Sequence, residues 1–167
     1  GFGITPKGAE SLQMSMQELI ENPVFLGFYS RYLRIEKTDK LPWLQFWQAV
    51  EEFRVMPSST AANKAAHEVY DTYLREGSVK VAPISTDTLS NLRIIFQRRI
   101  ESQGAQRALL PSDTFASAQD EARDELRLHT FDKFVGSSYF NGVVELKERE
   151  KEVPTVRHFY YLRRLGV

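Results

Sequence analysis

Pro42-Trp43-Leu44-Gln45-Phe46-Trp47-Gln48-Ala49-Val50-Glu51-Glu52-Phe53 is the stretch whose reading decides the fold. At about 100° per residue, Trp43, Phe46, Trp47, Val50 and Phe53 gather on one side of a helix, with Gln45, Gln48 and Glu52 opposite. Both tryptophans of the chain lie here. Each such ring buries on the order of 150 to 250 Å², so a helix with this stripe is a central core element. Pro42 suits the first helical turn, where its missing N–H is not needed.

The same periodicity extends outward in both directions. Met14, Met16, Leu19 and Ile20 predict a short helix that stops near Asn22-Pro23, with Pro23 at the start of the next. Phe25, Phe28, Tyr29, Tyr32 and Leu33 then follow helical spacing closely. C-terminal to the tryptophan helix, Pro57-Ser58-Ser59-Thr60 breaks one helix and offers caps for another, whose face is Ala62, Ala65, Ala66, Val69, Tyr70 and Tyr73. Gly77 supplies its stop. Thr86 or Asp87 is expected to cap a helix with Leu89, Leu92, Phe96 and Ile100 on one face, ending around Gly104.

Further on, Phe115, Ala118, Ala122 and Leu126 predict another helix after the Ser112-Asp113-Thr114 cap. His129-Thr130 reads as a break, followed by a short helix through Phe131, Phe134 and Val135. Tyr139, Phe140, Val143, Val144 and Leu146 lead into a charged run over 145–152, a solvated helical face with i,i+4 pairing. Period-two alternation is scarce. The expectation is an all-α fold of roughly eight to ten helices, organised as an irregular lead-in over 1–10, a domain over 11–146 and a helical extension over 147–167.

Composition removes several functional classes. There is no cysteine, which excludes disulfides and thiolate metal sites and is compatible with a reducing setting, cytoplasmic or nuclear. Twenty-two basic residues balance 22 acidic ones, so no net charge draws the chain to nucleic acid or an anionic membrane. No apolar run reaches the roughly 20 residues that cross a bilayer. Opening on Gly-Phe-Gly rather than Met points to a piece of a longer chain. His67, His129 and His158 lack metal-ligand spacing, and no nucleophile elbow or phosphate-cradling glycine loop occurs.

Leu44-Gln45-Phe46-Trp47-Gln48-Ala49-Val50-Glu51-Glu52-Phe53 resembles the tryptophan helix of regulator of G-protein signalling domains. Three other stretches resemble the family in the same order: Asn22 to Phe28, Val69 to Leu74, and Phe115 to Gln119 with Phe131 to Val135. The resemblance implies an array of about nine helices with an antiparallel four-helix bundle and a terminal helical subdomain. It also implies a partner, the activated α subunit of a heterotrimeric G protein, whose switch regions the family holds in their transition-state arrangement. No cofactor and no catalytic residue of its own are implied, and the isolated domain is expected to be a monomer. At most it activates a partner's GTPase.

Three loops carry that contact in the family. They correspond here to Lys40, Pro42 and Trp43; to Pro83, Ile84 and Ser85; and to His129, Thr130 and Lys133. Each departs from the family pattern. Pro42-Trp43 stands where active members present Glu-Asn. Pro83 stands where an asparagine supports the partner's catalytic glutamine, and proline has no side-chain amide and no backbone donor. His129-Thr130 and Lys133 replace Asp-Ser and an arginine, and lysine lacks the forked guanidinium. The interval from Pro83 to Phe115 is also roughly ten residues longer than in compact members, which favours a module of a multi-RGS-domain protein. The expected function is therefore α-subunit binding with weak acceleration of hydrolysis. The alternative is an RGS-homology scaffold that binds another protein or a membrane surface.

Some features carry two readings. The helical wheel sets Trp43 on the core side with Trp47, whereas an exposed Trp43 would be an interface hot spot. Arg93, Arg98, Arg99 and Arg107 read most simply as a solvated helix face and otherwise as a basic strip for a phosphoinositide or an acidic partner. Phe159 to Arg164 reads as packing onto the terminal helices or as a docking segment.

Overall fold

In a computed structural model of the chain, residues 14–102 and 108–152 are described. Among them every regular element is helical: α1 Met16–Glu21, α2 Pro23–Glu36, α3 Leu41–Val55, α4 Thr60–Val69, α5 Thr86–Glu101, α6 Ala116–Leu126, α7 Asp132–Val135 and α8 Asn141–Glu152. π-helical turns at Tyr70–Leu74 and Arg127–Phe131 follow α4 and α6, and a 3-10 turn at Ser138–Phe140 precedes α8. The all-α expectation holds. The expected count of about nine does not: where elements adjoin without interruption the described residues form seven continuous helical stretches. One reason is local. His129-Thr130 is not a break but lies inside the π turn, where a wider hydrogen-bonded ring takes up one extra residue without ending the helix.

The chain divides into two compact units, residues 1–38 with 127–167 and residues 39–126. The second unit contains α3 to α6. Its directions follow from residue pairs: Trp47 and Glu51 bond to Gln119 while Phe53 stacks edge-on against Phe115, so α3 and α6 run antiparallel. Arg99 bonds to His67 and Arg93 to the Leu74 carbonyl, so α4 with its π turn and α5 also run antiparallel. Phe46 meets Tyr73 at a ring distance of 5.5 Å, joining the start of α3 to the end of the α4 segment. The unit is an antiparallel four-helix bundle.

Its core is aromatic. Phe46, Val50, Phe53, Ala62, Ala66, Val69, Phe96, Phe115, Ala118 and Ala122 form one buried cluster. Tyr70 and Phe96 stack at 4.7 Å, and Phe96 and Phe115 at 5.5 Å. Each fully buried phenylalanine contributes about 1.5–3 kcal/mol relative to exposure. The alanines of α4 admit this ring stack at close range, which is why small and large residues alternate between facing helices.

Trp43 corrects the wheel. It is only half-buried, whereas Leu44 is fully buried with Phe46, Trp47, Val50 and Phe53. Trp43 sits in the first turn, where neighbouring helices cover less of the circumference, so the buried arc there lies around Leu44.

In the first unit, α1 and α2 meet the expected stripes. Met14, Met16, Leu19, Ile20, Phe25, Tyr29, Tyr32 and Leu33 are buried, with Phe28 partly so. Asn22 caps α2 by accepting the N–H groups of Val24 and Phe25, with Pro23 at the first helical position. Phe134 packs among Tyr29, Tyr32 and Phe140 at ring distances of 5.2, 5.4 and 5.5 Å. Gly142 of α8 lies against Phe28: a Cβ there would fall 2.9 Å from Phe28 Cδ1 and closer to two other ring atoms. Lys147 of α8 pairs with Glu18 of α1. The lead-in over 1–10, His158, Phe159 to Arg164, and Arg107 lie outside the described residues. Among the described residues no helix is long and apolar enough to cross a membrane.

Candidate functional site

In the four-helix unit, the start of α3, the end of the α4 segment, the start of α5 and the end of α6 share one end of the bundle, by the antiparallel directions above. Two of the three predicted loops therefore flank the same end. At the first, Asp39 and Lys40 form the turn that leads into α3. Lys40 occupies the N-cap position in helical conformation without a side-chain cap, and its carbonyl accepts the Trp43 N–H at 3.0 Å. The Lys40 ammonium lies 4.1 Å from the centre of a Trp43 ring and 3.3 Å from Asp39. Pro42, with no N–H to satisfy, sits in the first turn and is half-buried. Lys40 and Trp43 thus form one unit of cation and aromatic face, half-exposed at the bundle end.

The middle loop is pinned at its base. The Ala82 N–H donates to the Tyr73 carbonyl at 3.2 Å, and the buried Ala82 methyl joins the bundle core. The Ile84 N–H then donates to the Ala82 carbonyl at 3.0 Å, closing a three-residue γ-turn with Pro83 at its centre. Such a turn needs a central φ near the value that the pyrrolidine ring imposes, so Pro83 fits where an asparagine would be less constrained. Ile84 packs against the core. Ser85, not Thr86 or Asp87, caps α5: its Oγ accepts the Thr88 N–H at 3.3 Å and lies 3.0 Å from Thr88 Oγ1. A serine with extended backbone directly after the γ-turn is the first position able to cap, which is why the helix starts earlier than its apolar face implies.

The bundle interior also carries buried polar chemistry, the Gln119–Glu51 contact lying toward the opposite end. Gln119 donates to the Trp47 carbonyl at 3.2 Å and to Glu51 at 2.9 Å, tying α6 to α3. Burial, reinforced by the Glu52 carboxylate, raises the Tyr73 phenol above its ordinary value, so Tyr73 is a neutral core residue at physiological pH.

The third loop belongs to the first unit and is described there. His129 and Lys133 are exposed. Thr130 is not: it is 1% exposed, and its Oγ1 lies 2.5 Å from the Tyr29 hydroxyl. Tyr29 is itself fully buried, and burial raises its phenol well above the usual range, with the Thr130 hydrogen bond opposing the shift only in part. Thr130 is thus a support for the loop and not a surface of it. Tyr29 was not predicted as part of any site; the stripe on α2 marked it as core, and nothing local reveals a partner 101 positions away.

Among the described residues no group of three His, Asp or Glu side chains lies close enough to hold a metal ion.

Comparison with known proteins places these observations in a family. The family described as the regulator of G protein signaling domain matches residues 15–143. The chain is similar to regulator of G-protein signaling 16 of Rattus norvegicus, 27% identical over 106 residues, covering 60% of this chain and 52% of that protein. It is likewise similar to regulator of G-protein signaling 16 of Mus musculus, 31% identical over 77 residues, covering 43% of this chain and 38% of that protein. The chain thus spans about half the length of these relatives, or less. With the match covering the four-helix bundle and the helices of the first unit alike, the chain belongs to the regulator of G protein signaling domain family and is, at that level, a regulator of G-protein signalling.

Proposed function

We propose that this domain binds the activated α subunit of a heterotrimeric G protein through Lys40, Pro42 and Trp43, through Pro83, Ile84 and Ser85, and through His129 and Lys133, with Thr130 holding the last loop from behind. The reading rests on the family match over 15–143. Catalysis in this arrangement belongs to the partner. A binding domain speeds hydrolysis only as far as it holds the partner's switch regions more tightly in the transition state than in the ground state.

The weakness of that effect rests on one observation, the γ-turn at Pro83. A side chain that steadies the partner's glutamine must offer a hydrogen-bond donor or acceptor, and the pyrrolidine ring offers neither. The Lys40–Trp43 pair supplies binding surface in its place: a half-buried aromatic face beside a cation suits a partner surface with an apolar or carboxylate contact. The domain accordingly binds more than it accelerates.

The test is binding to a panel of α subunits with GDP, with GDP and aluminium fluoride, and with a slowly hydrolysed GTP analogue. Tightest binding in the aluminium-fluoride state is expected. Absence of nucleotide-dependent binding to every subtype overturns the proposal and leaves the scaffold reading, which Pro42 and Pro83 also favour.

A further inference from the structure

We propose that the groove between the end of the α4 segment and the outer face of α5 is a binding site for a phosphate monoester. It is a cleft of about 580 Å³, within the range of small-ligand sites, and lies wholly in the four-helix unit. Its lining includes three arginines, Arg75, Arg93 and Arg98, and one acidic residue, Glu76. Arg93 and Arg98 come from α5, and Arg75 directly follows the π turn.

The basic strip read along α5 divides here. Arg99 leaves it, donating to His67 at 3.3 Å on the side of the buried Phe96. Arg93 and Arg98 remain in the cleft, and among the described residues neither has a carboxylate partner. Arg93 is half-buried and fixed, its Nε donating to the Leu74 carbonyl at 3.0 Å. That bond uses one of five guanidinium N–H groups and holds the remainder in a set orientation. Arg75 has only a half-exposed pairing with Asp71 at 3.6 Å, which is weak and readily exchanged for a stronger acceptor. The carboxamide of Gln97, in the same wall, already donates to Glu101 at 3.2 Å.

The charge sum of the lining is positive by two in a chain whose own net charge is zero. Guanidinium forks match the oxygens of a phosphate, and three of them around one groove exceed what a single carboxylate ligand needs. Ile94, half-exposed in the same wall, offers an apolar surface for the body that carries the phosphate. A soluble phosphorylated polyol and a phosphorylated lipid headgroup share this chemistry. None of its lining residues belongs to the α-subunit loops, and the site does not depend on that proposal.

Titration calorimetry with inositol hexakisphosphate, and co-sedimentation with phosphatidylcholine vesicles carrying a tenth of phosphatidylinositol bisphosphate, test the site on the chain as it stands. Saturable binding is expected, weakened about tenfold or more in Arg98→Glu and strengthened in Glu76→Gln. Arg98 is exposed, so its variant retains the fold, which circular dichroism checks. Arg34→Glu, the same charge change on α2, should leave binding unaltered. Binding of the soluble probe assigns a free ligand, and binding of the vesicles alone assigns a lipid headgroup. Failure to bind either overturns the proposal, as does equal binding to phosphatidylserine vesicles or an equal loss in Arg98→Glu and Arg34→Glu.

Discussion

The Tyr29 hydroxyl and the Thr130 hydroxyl meet at 2.5 Å in the interior of the first unit, joining α2 to the π turn that carries the third loop. Both side chains are buried, so each satisfies part of the other's hydrogen-bonding need without water. Tyr29→Phe should destabilise the domain by about 1–2 kcal/mol, since it deletes the bond and keeps the ring. Thr130→Val should cost a similar amount, and the double variant less than the sum. Chemical denaturation of the four proteins measures this, and additive losses would show that the two hydroxyls are not coupled.

Pro83 has a second consequence. Pro83→Asn restores an amide at the centre of the middle loop, and single-turnover GTP hydrolysis by a bound α subunit should quicken. The same change removes the ring that presets the γ-turn and should lower stability by about 0.4–1 kcal/mol. A variant that binds equally well with no gain in rate would mean that the missing amide is not what limits acceleration.

Two helical glycines should respond in opposite senses. Gly142→Ala forces a methyl into the Phe28 ring and should destabilise by about 1–3 kcal/mol. Gly27→Ala, within α2 and with no atom within 4 Å of the added Cβ, should be neutral or stabilise by up to about 1 kcal/mol. Thermal unfolding of the pair checks both signs at once.

Alkaline pH should unfold the domain through its buried phenols. Burial raises Tyr29, Tyr32 and Tyr73 above the ordinary value of 10.0, with the Glu36 carboxylate adding to the shift at Tyr32 and Glu52 at Tyr73. A raised folded-state value means that the unfolded chain releases these protons first. The stability that depends on neutral phenols is therefore complete below about pH 10 and is lost as pH rises through the folded-state values. Melting temperature followed from neutral to strongly alkaline pH should fall only above that point, and less steeply in Tyr29→Phe.

Helix faces were legible in the sequence wherever the apolar stripe ran through the middle of an element. Phe115, Ala118, Ala122 and Leu126 are all buried, as are Phe25, Tyr29, Tyr32 and Leu33. Boundaries marked by proline were legible too: the start of α2 at Pro23, and the hydroxyl cluster after Pro57, from which Ser59 caps α4 by accepting the Ala62 N–H at 3.1 Å. Legibility failed at the ends. Trp43 and Leu44 exchange burial in the first turn of α3, the cap of α5 moved back to Ser85, and the supposed break at His129 became a π turn. A period of 3.6 residues defines a direction around an axis, but the width of the covered arc depends on which neighbours are present at that height.

By itself, then, the sequence determined that the chain is helical, which residues face inward along most of each helix, and that four ordered stretches match one family. Those properties are local, set by spacing, capping chemistry and the conformational limits of proline. Only the tertiary structure decided that Thr130 lies inside against Tyr29, that Pro83 centres a γ-turn pinned to Tyr73, and that Arg93 and Arg98 face a cleft while Arg99 turns to His67. A side chain's spacing states which face of its own helix it leaves from. What it meets is set by a second segment 19, 32 or 101 positions away, and no local pattern specifies that partner.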